Sequence, residues 1–271
     1  MKPQLLAIDL DGTLIDHDLT LRPRVAEAVQ RAIEAGVVVA IVTGRMFVAA
    51  KPFARRLGLT APTTCYQGAA IFDTQTGAVI EETPLPNAVA RKAYAYAKER
   101  GLHAQVYLDD VFYAEARNRY SELYAKLAGV EPVIVPSLLD ALAGRNPTKM
   151  NVIMEPERTS SVEAEITALL GESAYITRSN PEFVEMMNPA VNKGLAFTRV
   201  AGLLGVPLER TMAIGDSYND IPLLRTAGFG IAMGSGPAEL KAAARAVVAD
   251  WAHDGVAEAI DRYVLAGEAA A

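Results

Sequence analysis

The sequence predicts an α/β protein: a Rossmann-like, doubly wound parallel sheet interrupted by an inserted α+β domain. Three observations predict it. Short apolar runs alternate with helical stretches over residues 5–73, the pattern of a parallel sheet with right-handed crossovers. The alternation breaks off near Pro84 and resumes near residue 188. Between those points paired strands mix with helices, which suggests an antiparallel or mixed sheet. The expected division is a discontinuous core, 1–83 with 188–271, around an insertion at 84–187. Two consecutive domains would leave only about three strands in each half of the α/β unit, fewer than a typical sheet holds.

Leu5, Leu6, Ala7 and Ile8 form the first predicted strand, ended by Asp9. "PRVAEAVQRAIEAG" (23–36) sets Val25, Val29, Ala32 and Ile33 on one helical face, with Gly36 as its stop. "VVVAIV" (37–42) is continuous and β-branched, as in a strand covered on both sides. A helix is expected from about 46 to 57, kinked or restarted by Pro52. "PTTCY" and "AAIFD" read as short strands of the same parallel unit, followed by a turn at "TQTG" (74–77). The insertion reads as helix, a strand pair around "LDD" (108–110), helix, strand, helix, and the strands "AYITRS" and "FVEMM". Then "KGLAFTRVAGLLG" is a helix, "TMAIGD" a strand, "SYNDIPLLRTAG" a helix, "FGIAM" a strand, "PAELKAAA" a helix, "AVVAD" a strand and "DGVAEAIDRYVLAG" a last helix. The alanine-rich end, "LAGEAAA", reads as frayed.

Composition narrows the function classes. Half the residues are hydrophobic (51%), enough for a sizeable core. A formal net charge of -6 argues against non-specific nucleic-acid binding, which needs a basic face. Small anions stay open, because local charge decides those. Cys65 is the one cysteine, so an intrachain disulfide is impossible and a reducing compartment is expected. Its place in "PTTCYQ" suits a buried thiol better than a nucleophile. "MKPQLLAIDL" lacks the pattern of a secretory leader, and the longest apolar run is too short to span a bilayer. The expectation is a cytoplasmic protein with no membrane partner, monomeric or a small homo-oligomer. His17, His103 and His253 are scattered, without metal-ligand spacing. Tyr94, Tyr96, Tyr107, Phe112 and Tyr113 read as core of the insertion, and Asp109 and Asp110 as turn residues.

Chemistry concentrates where three apolar strands end. The first ends in Asp9, with Asp11 two residues on. The second ends in "VTGR", Thr43 to Arg45. A strand beyond the insertion ends in "IGDSYND", with Asp216, Asn219 and Asp220. Ligands of open α/β sheets bind at this carboxyl edge. Lys193, near the start of a helix, adds a positive charge where the dipole already favours anions. Asp9, Asp11 and Asp216 are hard oxygen donors suited to Mg²⁺, whose charge would let such carboxylates sit together. Thr43 offers a hydroxyl and Lys193 a point charge to phosphate oxygens. One of the two leading carboxylates would then be a nucleophile that forms an aspartyl-phosphate, and the other a general acid and base.

"DLDGT" (9–13), "VTGR" (42–45), "NKG" (192–194) and "GDSYND" (215–220) resemble, in order, the four motifs of the haloacid dehalogenase-like phosphatase superfamily. The insertion after the second motif, with "AGFGIAMG" (227–234), resembles its Cof-type branch (class IIB), which carries a large α+β cap. "RSNPEFVEMMNPAVNKG" (178–194) is similar to that branch's passage from cap to core. The resemblance covers nearly the whole chain and is strongest in the core motifs. It implies Asp9 as nucleophile and Asp11 as acid/base. It implies Mg²⁺ held by Asp9, the Asp11 carbonyl and Asp216. It implies phosphate held by Thr43, Gly44 and Lys193, with Asn219 close by. Asp220 would support the metal shell or orient Lys193, and Arg45 would reach toward substrate. The sequence departs from the family at Gln67, where Asn is common, and at Ser235; both are expected near the pocket mouth. Arg178 and Glu185 are candidates for selecting substrate from the cap.

The implied activity is Mg²⁺-dependent hydrolysis of small phosphorylated metabolites, sugar phosphates foremost. A sugar phosphomutase on the same scaffold, or an Asp-phosphorylated signalling module, are the alternatives.

Overall fold

The computed structural model describes residues 2–16 and 18–266. His17 and the end of the alanine-rich tail, from residue 267, lie outside the described residues. The chain opens with β1 (Leu5–Ile8), α1 (Pro23–Glu34), β2 (Val38–Ile41), α2 (Phe47–Arg56), β3 (Thr63–Cys65), β4 (Ala70–Phe72) and β5 (Val79–Glu82). It continues with α3 (Asn87–Glu99), β6 (His103–Leu108), β7 (Val111–Ala114), α4 (Arg119–Ala128), β8 (Val133–Ile134), α5 (Leu138–Ala141), β9 (Lys149–Ile153), α6 (Pro156–Leu170), β10 (Tyr175–Thr177) and β11 (Phe183–Met187). It closes with α7 (Lys193–Leu203), β12 (Thr211–Gly215), α8 (Ile221–Thr226), β13 (Phe229–Met233), α9 (Ala238–Ala243), β14 (Ala246–Val248) and α10 (Gly255–Ala259), which runs on as a π-helical stretch, Ile260–Leu265. Two compact units result, Met1–Ile80 with Asn192–Ala271, and Glu81–Val191.

The discontinuous unit holds a five-stranded parallel sheet in the order β14-β13-β12-β1-β2. From β1 the chain steps one way to β2; the later strands step the other way. The order reverses between β1 and β12, which makes that edge the switch point. Leu5, Ala7, Ala40 and Val42 pack with Phe197 and Val200 of α7 and Leu223 and Leu224 of α8. The alternate residues Leu6, Ile8, Val39, Ile41, Met212 and Ile214 are also buried, so both faces are covered. This is why the strands read as continuous apolar runs.

Two expectations change. β3 and β4 do not extend the parallel sheet. They pair antiparallel and join β5 in a separate three-stranded sheet, linked to the end of β2 by the parallel Val42–Thr64 bridge. The cause is local: Tyr66, Gln67 and Gly68 take φ of 53°, 58° and 104°, and three such residues in a row turn the chain back. Also, α2 runs through Pro52 without restarting, forgoing the one backbone bond that the missing N–H would have made.

The second unit is built on a six-stranded sheet, β10-β11-β9-β6-β7-β8, antiparallel except where β7 meets β8. One face, Val106, Leu108, Met150, Val152, Val184 and Met186, packs with Ala93 and Ala97 of α3 and Val162 and Ile166 of α6. The alternate residues Gln105, Tyr107, Lys149, Asn151 and Glu185 are polar yet buried. Asp109 and Asp110, with φ of 52° and 58°, make the β6–β7 hairpin turn, as positive φ at both central positions allows. Cys65 is a buried thiol at the end of β3. Among the described residues no helix is long and apolar enough to cross a membrane.

Candidate active site

Strand register builds the site first. Ile8 pairs with Ile41 on one side and with Ile214 on the other. The three strands therefore end level, and Asp9, Thr43 and Asp216 leave the same edge of the sheet. The Asp9 amide donates to the Ile214 carbonyl at 3.0 Å, and the Val42 amide to the Ile8 carbonyl at 3.1 Å, which holds that edge together.

The loop after β1 wraps toward Asp216. Gly12 has φ +75°, and a Cβ there would lie 2.3 Å from Asp216 Oδ2. Glycine alone meets both demands, the left-handed backbone and the close approach. Thr13 Oγ1 then donates to Asp216 Oδ1 at 3.0 Å.

Lys193 is the first residue of α7, whose cap, the Asn192 side chain, accepts from the Leu195 amide. Its Nζ donates to Asp9 Oδ1 at 2.5 Å and to Asp220 Oδ1 at 2.6 Å. Lys193, Asp9 and Asp220 are 1%, 4% and 0% exposed, so these charges lie out of water and need each other. The second oxygen of Asp220 accepts the amides of Asp216 and Ser217, both at 3.1 Å. Asp220 thus fixes the lysine and the loop carrying Asp216 at once.

Arg45 and Gln67 complete the arrangement. The Thr43 hydroxyl accepts the Arg45 amide at 3.1 Å, which leaves its own proton for a ligand. The Arg45 guanidinium clasps Asp11, Nε to Oδ2 at 2.8 Å and Nη2 to Oδ1 at 2.5 Å. Gln67 is fully buried. Its amide fills the space beside Gly44, where a Cβ would come within 2.3 Å of Nε2. Gln67 Oε1 accepts from Asn219 Nδ2 at 3.0 Å, while Asn219 Oδ1 is buried without a partner.

Of the predicted residues, the structure brings Asp9, Asp216, Asp220 and Lys193 into contact range, and Thr43, Arg45 and Asp11 beside them. The carboxylates that cluster are Asp9, Asp216 and Asp220, whose oxygens lie within 4.8 Å of one another. The Asp11 side chain, expected among the metal-binding carboxylates, is turned to Arg45 instead. In the second unit, Arg178 pairs with Glu163 at 2.9 Å and Glu185 with Lys149 at 2.6 Å. Gln67 and Thr13 carry structural roles that sequence reasoning missed. Gln67 gave a faint signal, as a departure from the family pattern; Thr13 gave none beyond its place in "DGT".

The electrostatics suit a cation. Burial raises the Asp9 carboxyl well above the usual carboxylate range; Asp220 raises it further, Lys193 opposes, and Asp216 and Asp11 add to the rise. Asp216 is pushed up to about 7, by burial first and by Asp220 next. Burial alone would lower the Lys193 ammonium, but Asp220 and Asp9 outweigh it and raise it. One lysine does not neutralise three carboxylates. The excess charge, the hard oxygen donors and their spacing fit Mg²⁺. Asp220 spends both oxygens on Lys193 and two amides, which makes Asp9 and Asp216 the better donors. A carboxylate beside a cation, a buried lysine and a hydroxyl donor is equipped to attack a phosphoryl group.

The profile of the haloacid dehalogenase-like hydrolases matches residues 6–260. Pyridoxal phosphate phosphatase YbhA of Escherichia coli is 29% identical, covering 98% of this chain and 100% of its own. The 5-amino-6-(5-phospho-D-ribitylamino)uracil phosphatase YitU of Bacillus subtilis is 28% identical, over 97% and 98%. A haloacid dehalogenase-like hydrolase from Bacteroides thetaiotaomicron superposes with a TM-score of 0.86 at 27% identity, covering 96% and 99%.

Proposed function

Because the chain belongs to the haloacid dehalogenase-like hydrolases, we propose that it is a phosphatase of small phosphomonoesters, sugar phosphates among them, acting through a phospho-aspartate on Asp9. The observation that carries this reading is Lys193, which joins Asp9 to Asp220 beside Asp216 at the carboxyl edge of the sheet. Asp9 attacks phosphorus, the ester P–O bond breaks, and Asp11 gives its proton to the departing oxygen. Water then attacks the same phosphorus and passes a proton to Asp11. The bond from phosphorus to Asp9 breaks, and inorganic phosphate leaves with both carboxyl groups restored. The Thr43 hydroxyl, the Gly44 backbone, Lys193 and Asn219 hold the phosphoryl oxygens. The unpartnered Asn219 Oδ1 is an acceptor, so it supports a water or a ligand hydroxyl beside it, while only its Nδ2 could donate to a phosphoryl oxygen.

Mg²⁺ is the proposed cofactor, held by Asp9, Asp216 and the Asp11 carbonyl; when bound it offsets the repulsion between carboxylate and phosphate. The side chains do the rest. Lys193 opposes the protonation of Asp9 that burial favours and aims its carboxyl, and general acid–base help of the kind assigned to Asp11 is typically worth about 10² to 10⁴ in rate.

Names of relatives support the substrate class: one is named for pyridoxal phosphate, another for a phosphoribitylaminouracil. The test is phosphate release from those two compounds and a panel of sugar phosphates, with Mg²⁺ and with chelator. Release that needs the cation and vanishes in Asp9→Asn, with the fold kept, is the expected result. An Asp9→Asn enzyme retaining most of its activity would overturn the nucleophile assignment. Transfer of phosphate between positions of a sugar, with none set free, would make the protein a mutase.

A further inference from the structure

We propose that Arg45 is a positioning residue for Asp11, acting on turnover through that carboxyl and not as a phosphate ligand. The proposal rests on the reading of Asp11 as acid and base. That role asks Asp11 to face the ester oxygen in the first step and water in the second. Yet its side chain is 37% exposed and sits on a loop, where a carboxyl has many orientations.

Arg45 supplies what the loop lacks. Its own side chain is 9% exposed. Its backbone is fixed at both ends: the amide donates to Thr43 Oγ1, and the carbonyl accepts the Tyr66 amide at 3.0 Å. From this base Nε and Nη2 reach separate oxygens of Asp11, at 2.8 and 2.5 Å. A two-point fork fixes the plane of a carboxylate as well as its distance, which a lysine cannot do. The two nitrogens spent on Asp11 are not left for a phosphoryl group. Lys193, bonded to Asp9, stands at the cluster for that task.

A double-mutant cycle on Arg45→Met and Asp11→Asn tests this, with kcat and KM measured on the best sugar phosphate of the panel. Arg45→Met should lower kcat roughly 10²-fold, the low end of general acid–base effects, with KM within about threefold. The double variant should be no slower than Asp11→Asn, because residues acting as one unit are not additive. Arg45→Lys, which keeps charge without the fork, should fall between wild type and Arg45→Met. It also carries the cycle if the methionine variant fails to fold. Losses that multiply in the double variant would overturn the proposal. So would a raised KM and weaker inhibition by inorganic phosphate at unchanged kcat, which would make Arg45 a phosphate ligand. An Asp11→Asn enzyme at full kcat would remove the acid/base reading itself, and this proposal with it.

Discussion

Lys193 shows how one side chain can settle a site. Two carboxylates accept from it, and all three groups are buried. Removing one partner of such a cluster strands charge in a low-dielectric interior, typically at about 3–5 kcal/mol. Lys193→Met should therefore lower unfolding stability by roughly 3 kcal/mol in urea, since protonation of Asp9 relieves part of the penalty. It should also end turnover. A variant with wild-type stability would mean that the lysine holds nothing in place. At this scale the sequence was readable where a polar residue follows an apolar strand: Asp9, Thr43 and Asp216 each stand there. Gln67 was readable only as an exception, because a glutamine after a short strand carries no chemical signature of its own. Its role comes from the left-handed turn that aims it between Gly44 and Asn219.

Helix α7 argues the same point for an element. It must bring Lys193 to the sheet edge, so its first turn lies close against α8. A Cβ on Gly194 would come within 2.4 Å of the Pro222 carbonyl and 2.6 Å of Thr226 Oγ1. Nothing lies within 4 Å of a Cβ on Gly202, at the other end of the helix. The two glycines should respond to alanine with opposite signs. Gly202→Ala should stabilise by about 0.4–1 kcal/mol, by restricting the unfolded chain. Gly194→Ala should destabilise by roughly 1–3 kcal/mol, as overpacking does, and reduce activity by lifting Lys193 from Asp9. Denaturant midpoints of the pair check this; equal shifts would contradict the close approach. Of the elements, those with strong periodicity were legible. The pairing of β3 and β4 was not, because direction depends on three backbone angles at Tyr66, Gln67 and Gly68.

For the whole molecule, charge in the acidic cluster links stability to pH and to cation. The Asp216 carboxyl lies near 7 in the fold against an unfolded value near 3.8. A carboxyl raised in this way gives its full stabilisation below the unfolded value and loses it as pH rises through the folded one. Without a divalent cation, the protein should melt higher near pH 5 than near pH 8 by this contribution. The difference should shrink in Asp216→Asn. Mg²⁺ should raise the melting temperature at pH 8, with a stabilisation of about 2.7 kcal/mol at a hundred times its dissociation constant, and much less at pH 5. Calorimetry across that range, with Mg²⁺ and with chelator, reads both effects. A melting temperature indifferent to Mg²⁺ at pH 8 would count against a cation site.

The sequence by itself determined the alternation of strands and helices, the break in it, and the acidic, hydroxyl and lysine residues that end the core strands. Those follow from local periodicity and from the cost of placing a charge after an apolar run. Which of those groups touch was decided by the tertiary structure. Register levels the strand ends, α7 delivers Lys193 from far along the chain, and burial then makes the partners interdependent. That is why Asp220 joined the carboxylate cluster and Asp11 turned to Arg45: a buried charge takes the partner that packing puts within reach.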